Sequence, residues 1–326
     1  MNILYLAQFA HGAEQAKKFN NITDEELYYA RYQESIYRIL SSTGHNIEVS
    51  SNLSRVLNMQ TKPDYIFTLY NRANFKNSEI FVSAIAEYHK IPYLGARPNI
   101  RAIAEDKHLS KIVATKAGIP TAQWLVFSPE AQNNLSPAKF NFPPPFFIKP
   151  RFGASSLHIS NQSIAYSIDQ AIIQINRLFA DNLEVIVEQF IEGTSYTVPL
   201  ILNAELYPYP LNPVKEESTE RIITYAQKRK TAPGLNRVVC EEKGIIDSLH
   251  EAVLRYHELV KPLDYARFDF IMTESGVPYF LEMNLCCNLG EHAAIALAGY
   301  SHGFSHRDLV VAILERSLKR QSVAFK

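Results

Sequence analysis

Residues 266–284 read ARFDFIMTESGVPYFLEMN, two apolar runs separated by an ESG turn, and this pattern predicts a β-hairpin. Because side chains alternate between the faces of a strand, Arg267 and Asp269 share one face, and Glu282 and Asn284 share a face of the return strand. Carboxylate and amide oxygens on adjacent strands form the hard-oxygen set that suits Mg²⁺ bound to phosphates. The plainer alternative is an exposed polar sheet face with a surface salt bridge. The metal site is favoured by the positions of Arg267, two residues before Asp269, and Asn284, two residues after Glu282.

The stretch PPPFFIKPRFGASS, residues 143–156, is a candidate for phosphate binding. An apolar strand delivers Lys149, and the small residues that follow have backbone N–H groups that can join the lysine in holding phosphate. Taken alone the motif is weak. It matches neither a P-loop nor GxGxxG, and a lysine that reaches solvent at the surface is the commoner outcome.

Three further stretches have an ordinary appearance when each is considered alone. They are a helix in which Lys107 and Lys111 share one face (EDKHLSKIVATKAGIP), a strand interrupted at an EG pair (VIVEQFIEGTSYTV) and a basic loop that contains Lys228 (ITYAQKRKTAPG). The plain interpretations are a solvated helix face, a strand with a bulge or turn, and a solvated loop.

Strand and helix patterns divide the chain into an α/β part followed by α+β parts. Strands predicted over residues 2–7 and 63–69, with a helix over 77–90, indicate a parallel-sheet domain at residues 1–100. The rest is predicted to contain a helix over 106–117, strands over 123–127, 146–149 and 157–160, a helix over 167–180, strands over 184–191, 195–202 and 205–209, a helix over 243–260 and the hairpin. We assign residues 101–186 to a central lobe and residues 187–326 to a C-terminal lobe with the metal site.

Composition excludes several classes of function. The 326 residues include 33 Lys plus Arg and 33 Asp plus Glu, so no net charge attracts nucleic acid or an anionic membrane. No stretch approaches the roughly 18 apolar residues that a membrane span needs. Three cysteines without CxxC spacing suggest neither a zinc site nor a disulfide framework. We therefore expect a cytoplasmic protein that binds neither nucleic acid nor membrane.

In their order and spacing these motifs resemble the ATP-grasp fold and, within it, the D-alanine–D-alanine ligase group of carboxylate–amine ligases. The similarity runs from about residue 92 to the C-terminus and extends more loosely over the N-terminal domain. It implies a parallel-sheet α/β domain followed by two α+β lobes that clasp ATP. It also implies an ATP-dependent, ADP-forming amino-acid or peptide ligase that forms an acyl phosphate and then an amide bond.

The resemblance also implies roles for individual residues. The residues assigned to ATP are Lys107, Lys149 and Lys228 on the phosphates, Gln189 and Ile191 at adenine through backbone groups, Glu188 beside the exocyclic amine, and Ser195 in place of an acid that binds ribose. The residues assigned to two Mg²⁺ ions, with Mn²⁺ as an alternative, are Asp269, Glu282 and Asn284. The residues assigned to the reacting centre are Ser155 and Ser156 in a lid, with Arg267 and the N–H groups from Asn288 to Gly290 as oxyanion donors.

Several positions depart from the pattern of the ligase group. Tyr70-Asn71 replaces a His-Gly turn, LCCNLG replaces a proline-glycine, and Ala293 stands near a serine that meets the second substrate. These departures lead us to expect amino-acid substrates other than a pair of D-alanines. Cys286 and Cys287 are expected to be small buried packing residues. Homodimerisation through the N-terminal domain, common in the group, is a further expectation, and the alternatives to a ligase are an ATP-grasp kinase and an inactive nucleotide-binding module.

Overall fold

The computed structural model describes residues 1–10, 23–59, 61–70, 78–130, 135–153, 158–218 and 235–324. Asn71, Ser155, Ser156 and Lys228 therefore lie outside the described residues. In the described part of the chain the strands form three sheets.

The first sheet is parallel and begins the chain. Its strands are β1 (Asn2–Leu6), β2 (Asn46–Ser50) and β3 (Tyr65–Thr68), in the order β2-β1-β3. The helices of this part are α1 (Asp24–Ser41), α2 (Ser54–Leu57) and α3 (Ser78–His89). Successive residues of β1 pack into different clusters, Ile3 and Tyr5 against Phe67, and Leu4 and Leu6 against the α3 side. Both faces of this sheet are therefore covered, as expected for parallel strands joined by helices.

The second sheet has four antiparallel strands, and two helices precede it. These helices are α4 (Pro98–Glu105) and α5 (Lys107–Lys116). The strands are β4 (Trp124–Phe127), β5 (Phe146–Pro150), β6 (Ile164–Ala165) and β7 (Val185–Gln189), in the order β4-β7-β5-β6. Helix α6 (Ile168–Ala180) packs its apolar face, which includes Ala171 and Ile175, against this sheet.

The strand predicted over residues 157–160 is wrong. Its alternation of apolar and polar residues imitates a strand, but His158 has a left-handed backbone with φ of 60°. The Ser160 side chain then caps a short 3₁₀ helix, Asn161–Ser163. The strand in this region is the shorter β6, which pairs with β5.

The third sheet is the largest and contains the predicted hairpin. Its strands are β8 (Thr194–Leu202), β9 (Pro208–Pro210), β10 (Val214–Ser218), β11 (Leu235–Val239), β12 (Tyr265–Met272) and β13 (Pro278–Asn284). The order is β11-β10-β8-β12-β13, with β9 on β8, and every pairing is antiparallel. The helices that accompany it are α7 (Lys243–Val260), α8 (Ala294–Ser301) and α9 (His306–Ala324).

Two hydrophobic clusters fix the large sheet. One side packs on α7, where Tyr256 lies between the rings of Phe268 and Phe280 at centroid distances of 5.5 and 4.9 Å. Helices α8 and α9 share a core with the N-terminal sheet, and Tyr65 of β3 donates to Ser317 of α9 at 2.7 Å. The C-terminal helices therefore bring the N-terminal sheet close to the hairpin.

The combination of a parallel α/β sheet with antiparallel α+β sheets confirms the predicted fold class. The division at residues 100 and 186 remains a prediction. Among the described helices, none combines the length and apolar character that crossing a membrane requires.

Candidate active site

A cavity of about 750 Å³ lies between the four-stranded sheet and the large sheet. Ligand sites in proteins commonly occupy about 300–1,000 Å³, so a nucleotide can be accommodated. Residues assigned to ATP or metal that line this cavity are Lys107, Lys149, Glu188, Gln189, Ile191, Ser195, Asp269 and Glu282. The fold thus brings these widely separated residues to one cleft, which we call the nucleotide cavity.

Two buried lysines point their charge into the nucleotide cavity. Lys149 on β5 is 5% exposed, and its Nζ lies 2.9 Å from Glu188 Oε2 on the neighbouring strand β7. Lys107, the first residue of α5, donates from Nζ to the Gly153 carbonyl oxygen at 2.5 Å. Burial lowers the pKa of Lys107 to about 8, although the Glu282 carboxylate opposes this effect. An anionic ligand in the cavity would restore the electrostatic stabilisation that Lys107 loses on burial.

The start of α5 is held against the end of β5 by a charged clamp. Asp106 caps the helix by accepting from the His108 N–H at 2.9 Å. The Arg151 guanidinium donates to both Asp106 carboxylate oxygens, at 2.8 and 2.6 Å. The Lys107 N–H donates in turn to the Arg151 carbonyl oxygen at 3.2 Å. Lys107 and Lys149 are thereby fixed relative to one another.

The hairpin brings the predicted metal residues together. Asp269 pairs with Glu282, and Arg267 pairs with Asn284, in the β12–β13 register. The Asn284 Nδ2 donates to Asp269 Oδ2 at 3.3 Å and to Glu282 Oε1 at 3.2 Å. Thr197, opposite Asp269 on β8, donates to its Oδ1 at 2.9 Å. Since Asp269 is only 8% exposed, the alternative of an exposed polar sheet face does not hold.

The donor set is compatible with Mg²⁺. The Asn284 amide lies within hydrogen-bonding distance of both carboxylates, and all three side chains offer the oxygen ligands that this ion prefers. Within the described residues, no cluster of three or more His, Cys, Asp or Glu could hold a metal. A cation at this hairpin would therefore depend on Asn284 and ligand oxygens as well as on the two carboxylates.

The plain interpretation of Lys111, as part of a solvated helix face, is wrong. The side chain is 0% exposed, and its Nζ lies 3.1 Å from Glu188 Oε1. It does not line the nucleotide cavity. The helical pattern could not show this burial, because the partner carboxylate of Lys111 lies on the distant strand β7.

A smaller cavity of about 90 Å³, which we call the second cavity, lies on the other side of the Arg267–Asp269 pair. The predicted residues that line it are Arg267, Asn284, Asn288 and Ala293. Sequence reasoning missed its other polar lining residues: Tyr28, Tyr29, Tyr32 and Gln33 of α1, Glu79 of α3, Glu216 of β10 and Arg237 of β11. Glu216 lines both cavities, and the Arg267–Asp269 pair contributes one residue to each, so the two cavities share a wall.

The start of helix α1 is marked in the sequence. Thr23 and Glu26 form a capping box, a local pattern that marks a helix start. The tyrosines that follow reach the second cavity only because α1 packs beside α9 in the shared core. The helix was predictable from sequence, whereas its place at the cavity depends on long-range packing.

The turn at residues 288–290 differs from the expected set of free oxyanion donors. The Gly290 N–H donates to Asn288 Oδ1 at 2.7 Å, and the Leu289 N–H donates to the Tyr32 hydroxyl at 3.2 Å. Asn288 itself donates from Nδ2 to the Tyr28 hydroxyl at 3.1 Å. Two of these amides are therefore engaged with the turn and α1, which leaves Arg267 as the stronger candidate donor.

Two other expectations have different outcomes. Tyr70 packs against the cluster around Val56 and Val82 and lines neither cavity, so a role of Tyr70 in substrate choice lacks structural support. Cys286 and Cys287 are buried as expected, and burial raises the pKa of the Cys287 thiol to about 12. Neither cysteine has the environment of a reactive thiolate.

Comparison with known proteins gives the class and family. The family model "D-ala D-ala ligase C-terminus" matches residues 113–315. D-alanine–D-alanine ligase B of Clostridium perfringens is 31% identical over 241 residues, which cover 74% of this chain and 76% of the relative. D-alanine–D-alanine ligase of Maridesulfovibrio salexigens is 25% identical over 303 residues, which cover 88% and 92% of the two chains.

Solved structures agree with the fold. D-alanine–D-alanine ligase from Bacillus anthracis complexed with ATP has a TM-score of 0.74 at 18% identity and covers 99% of both chains. VanG D-Ala:D-Ser ligase from Enterococcus faecalis has a TM-score of 0.71 at 17% identity and covers 97% of this chain and 99% of its own. Fold and cleft thus define an ATP-grasp enzyme, an ATP-dependent, ADP-forming carboxylate–amine ligase. The chain belongs to the D-alanine–D-alanine ligase family.

Proposed function

We propose that this protein joins two amino acids through an acyl phosphate. A carboxylate oxygen of the first attacks the γ-phosphorus of ATP, and ADP leaves. The amine of the second then attacks the acyl carbon, the C–O bond to phosphate breaks, and the amine's proton leaves with the phosphate. The observation that carries this proposal is that Asp269 lines the nucleotide cavity while its hydrogen-bonded partner Arg267 lines the second cavity.

The nucleotide is assigned to the larger cavity. Lys107 and Lys149 are assigned to the phosphates, since both are buried cations on its wall. The strand end and loop at residues 189–195 are assigned to adenine and ribose, through Gln189, Ile191 and Ser195. Glu188 contacts two lysines, so the same carboxylate would have to accept from the adenine amine as well. The proposed lid at Ser155 and Ser156 and the phosphate contact of Lys228 lie outside the described residues.

Asp269, Glu282 and Asn284 would hold two Mg²⁺ ions, or Mn²⁺ in their place. Bound there, the ions would neutralise charge on the phosphates during transfer. Thr197 and Arg267 hold the Asp269 carboxylate in place by hydrogen bonds at 2.9 and 2.8 Å. Arg267 also faces the second cavity, where it can donate to the oxygen that gains negative charge when the amine adds.

The second cavity is assigned to the amino acids. Its acidic and basic lining groups, which include Glu79, Glu216 and Arg237, suit zwitterionic ligands. The expectation of a product other than D-alanyl-D-alanine is not supported, because curated relatives matched over 73–92% of their length are named D-alanine–D-alanine ligases and Tyr70 does not line the cavity. D-Alanine is therefore the first substrate to test. The homodimer remains a prediction.

A matrix of D- and L-amino acids with ATP tests the proposed reaction. We expect ADP and phosphate release that depends on both an acid and an amine, with a dipeptide detected by mass spectrometry. D-Alanine alone should support turnover if it fills both positions. Release of ADP with one substrate and accumulation of its phosphorylated form, unaffected by any added amine, would indicate a kinase and contradict the ligase proposal.

Replacement of Lys149 by alanine is expected to weaken nucleotide binding by about 10–100-fold, because a charge-assisted contact contributes about 1.5–3 kcal/mol. Calorimetry with the non-hydrolysable analogue AMP-PNP measures this change. Lys139→Ala is a matched control, since Lys139 is exposed in the same part of the chain and does not line the cavity. Equal affinities for the two variants would remove Lys149 from the phosphate site.

A further inference from the structure

A fully buried lysine stands behind the nucleotide cavity. Lys111 contacts Glu188 Oε1 at 3.1 Å, while the cavity-facing Lys149 contacts Oε2 of the same carboxylate at 2.9 Å. Lys111 Nζ also donates to Thr121 Oγ1 at 2.8 Å, and that hydroxyl donates to the Phe280 carbonyl oxygen of β13 at 2.9 Å. Glu188 is thus held between one lysine that faces the ligand and one that cannot reach it.

The charges of these three groups are interdependent. Burial on its own raises the pKa of Glu188, but the two lysines outweigh that effect, so the pKa lies below its ordinary value and the carboxylate stays ionised. With Lys149 as its sole partner, Glu188 would compete directly with a phosphate for that ammonium group. The ammonium group of Lys111, on the other oxygen of Glu188, reduces this competition. The two lysines and the one carboxylate together carry a net positive charge, which Lys149 presents to the cavity.

We propose that Lys111 is a positioning residue for nucleotide binding, which neutralises Glu188 from behind and so leaves the charge of Lys149 available to the phosphates. This inference rests on the proposed assignment of Lys149 to the phosphates. It replaces the interpretation of Lys111 as a solvated residue. That interpretation predicts that Lys111→Ala has almost no effect on nucleotide binding. In this proposal Lys111 affects the nucleotide through Glu188, since Lys111 itself does not line the cavity.

A double-variant comparison tests the inference with AMP-PNP affinity as the readout. Lys111→Met keeps the length of the side chain and removes its charge, and we expect about tenfold weaker binding, the scale of one charge-assisted contact. Glu188→Gln removes the competing anion. In that background Lys111→Met should therefore change the affinity by less than about threefold. An equal loss in both backgrounds would mean that Lys111 acts through packing and would overturn the proposal.

The controls separate charge from folding. Lys116→Met, at an exposed position of the same helix, should bind AMP-PNP within about twofold of the unmodified protein. If Lys111→Met does not fold, Lys111→Gln carries the same comparison, because its amide can still donate toward Thr121. Normal binding by a folded Lys111 variant, with weak binding by Lys149→Ala, would overturn this inference alone. Normal binding by Lys149→Ala would overturn the phosphate assignment beneath it.

Discussion

Glu282→Gln is expected to lower kcat by about 10²–10³-fold while the protein stays folded, because the bound cations would lose a charged ligand worth several kcal/mol in the transition state. The glutamine amide keeps the shape of the side chain, and its oxygen can still accept from Asn284, as Glu282 does at 3.2 Å in the unmodified protein. The loss should appear in steady-state ADP release at saturating Mg²⁺. It should also appear as weaker Mn²⁺ binding by calorimetry in the presence of AMP-PNP.

The hairpin offers its own control for this substitution. Glu274 lies in the exposed turn between β12 and β13, so Glu274→Gln changes the net charge equally without touching either cavity. Its turnover and Mn²⁺ affinity should match those of the unmodified protein. Near-normal values for Glu282→Gln as well would sink the metal assignment of the hairpin.

The hairpin was predictable from sequence because its information is local. Strand alternation alone places Arg267 beside Asp269 and Glu282 beside Asn284, and the turn fixes which strands pair. The structure adds Thr197, which reaches Asp269 through the β8–β12 register. That contact joins residues 72 positions apart, and no local pattern specifies it.

The lining of the second cavity could not be predicted in the same way. Tyr28 and Tyr32 reach it from α1, and Arg237 from β11, through packing and pairing between distant parts of the chain. The same limit explains the error at Lys111 and the lack of support for a role of Tyr70. A lysine at helical spacing, such as Lys111, suggests a solvated position, because its partner Glu188 lies on a distant strand. The packing partners of Tyr70, at a strand end, likewise cannot be identified from the sequence.

Arg267→Lys is expected to lower kcat by about 10²–10³-fold with little change in nucleotide affinity. Arg267 donates from Nε and Nη2 to the two Asp269 oxygens at 3.0 and 2.8 Å and lines the second cavity, but not the nucleotide cavity. Burial on its own lowers the pKa of the guanidinium, yet Asp269 and neighbouring acids more than offset it, so the pKa lies above its ordinary value. The group is therefore charged throughout the working pH range.

The size of this effect follows from geometry, since lysine preserves the charge. The planar guanidinium of arginine can hold both Asp269 oxygens and still offer a further N–H to the second cavity. The ammonium group of lysine lacks this planar fork. Loss of one oxyanion donor costs about 2.7–4 kcal/mol in the transition state. AMP-PNP affinity should stay within about threefold. Arg255→Lys, at an exposed position of α7 outside both cavities, should leave both quantities unchanged.

Two measurements separate a direct role of Arg267 from support of Asp269. If the arginine only holds the carboxylate, Arg267→Lys should weaken Mn²⁺ binding with AMP-PNP by the same factor as it lowers kcat. If it donates to the developing oxyanion, kcat should fall far more than Mn²⁺ affinity, because the donor is needed only when the amine adds. Equal losses would assign the oxyanion to another donor. In that case the N–H groups of Leu289 and Gly290 would have to leave their present acceptors, the Tyr32 hydroxyl and Asn288 Oδ1, before they could serve.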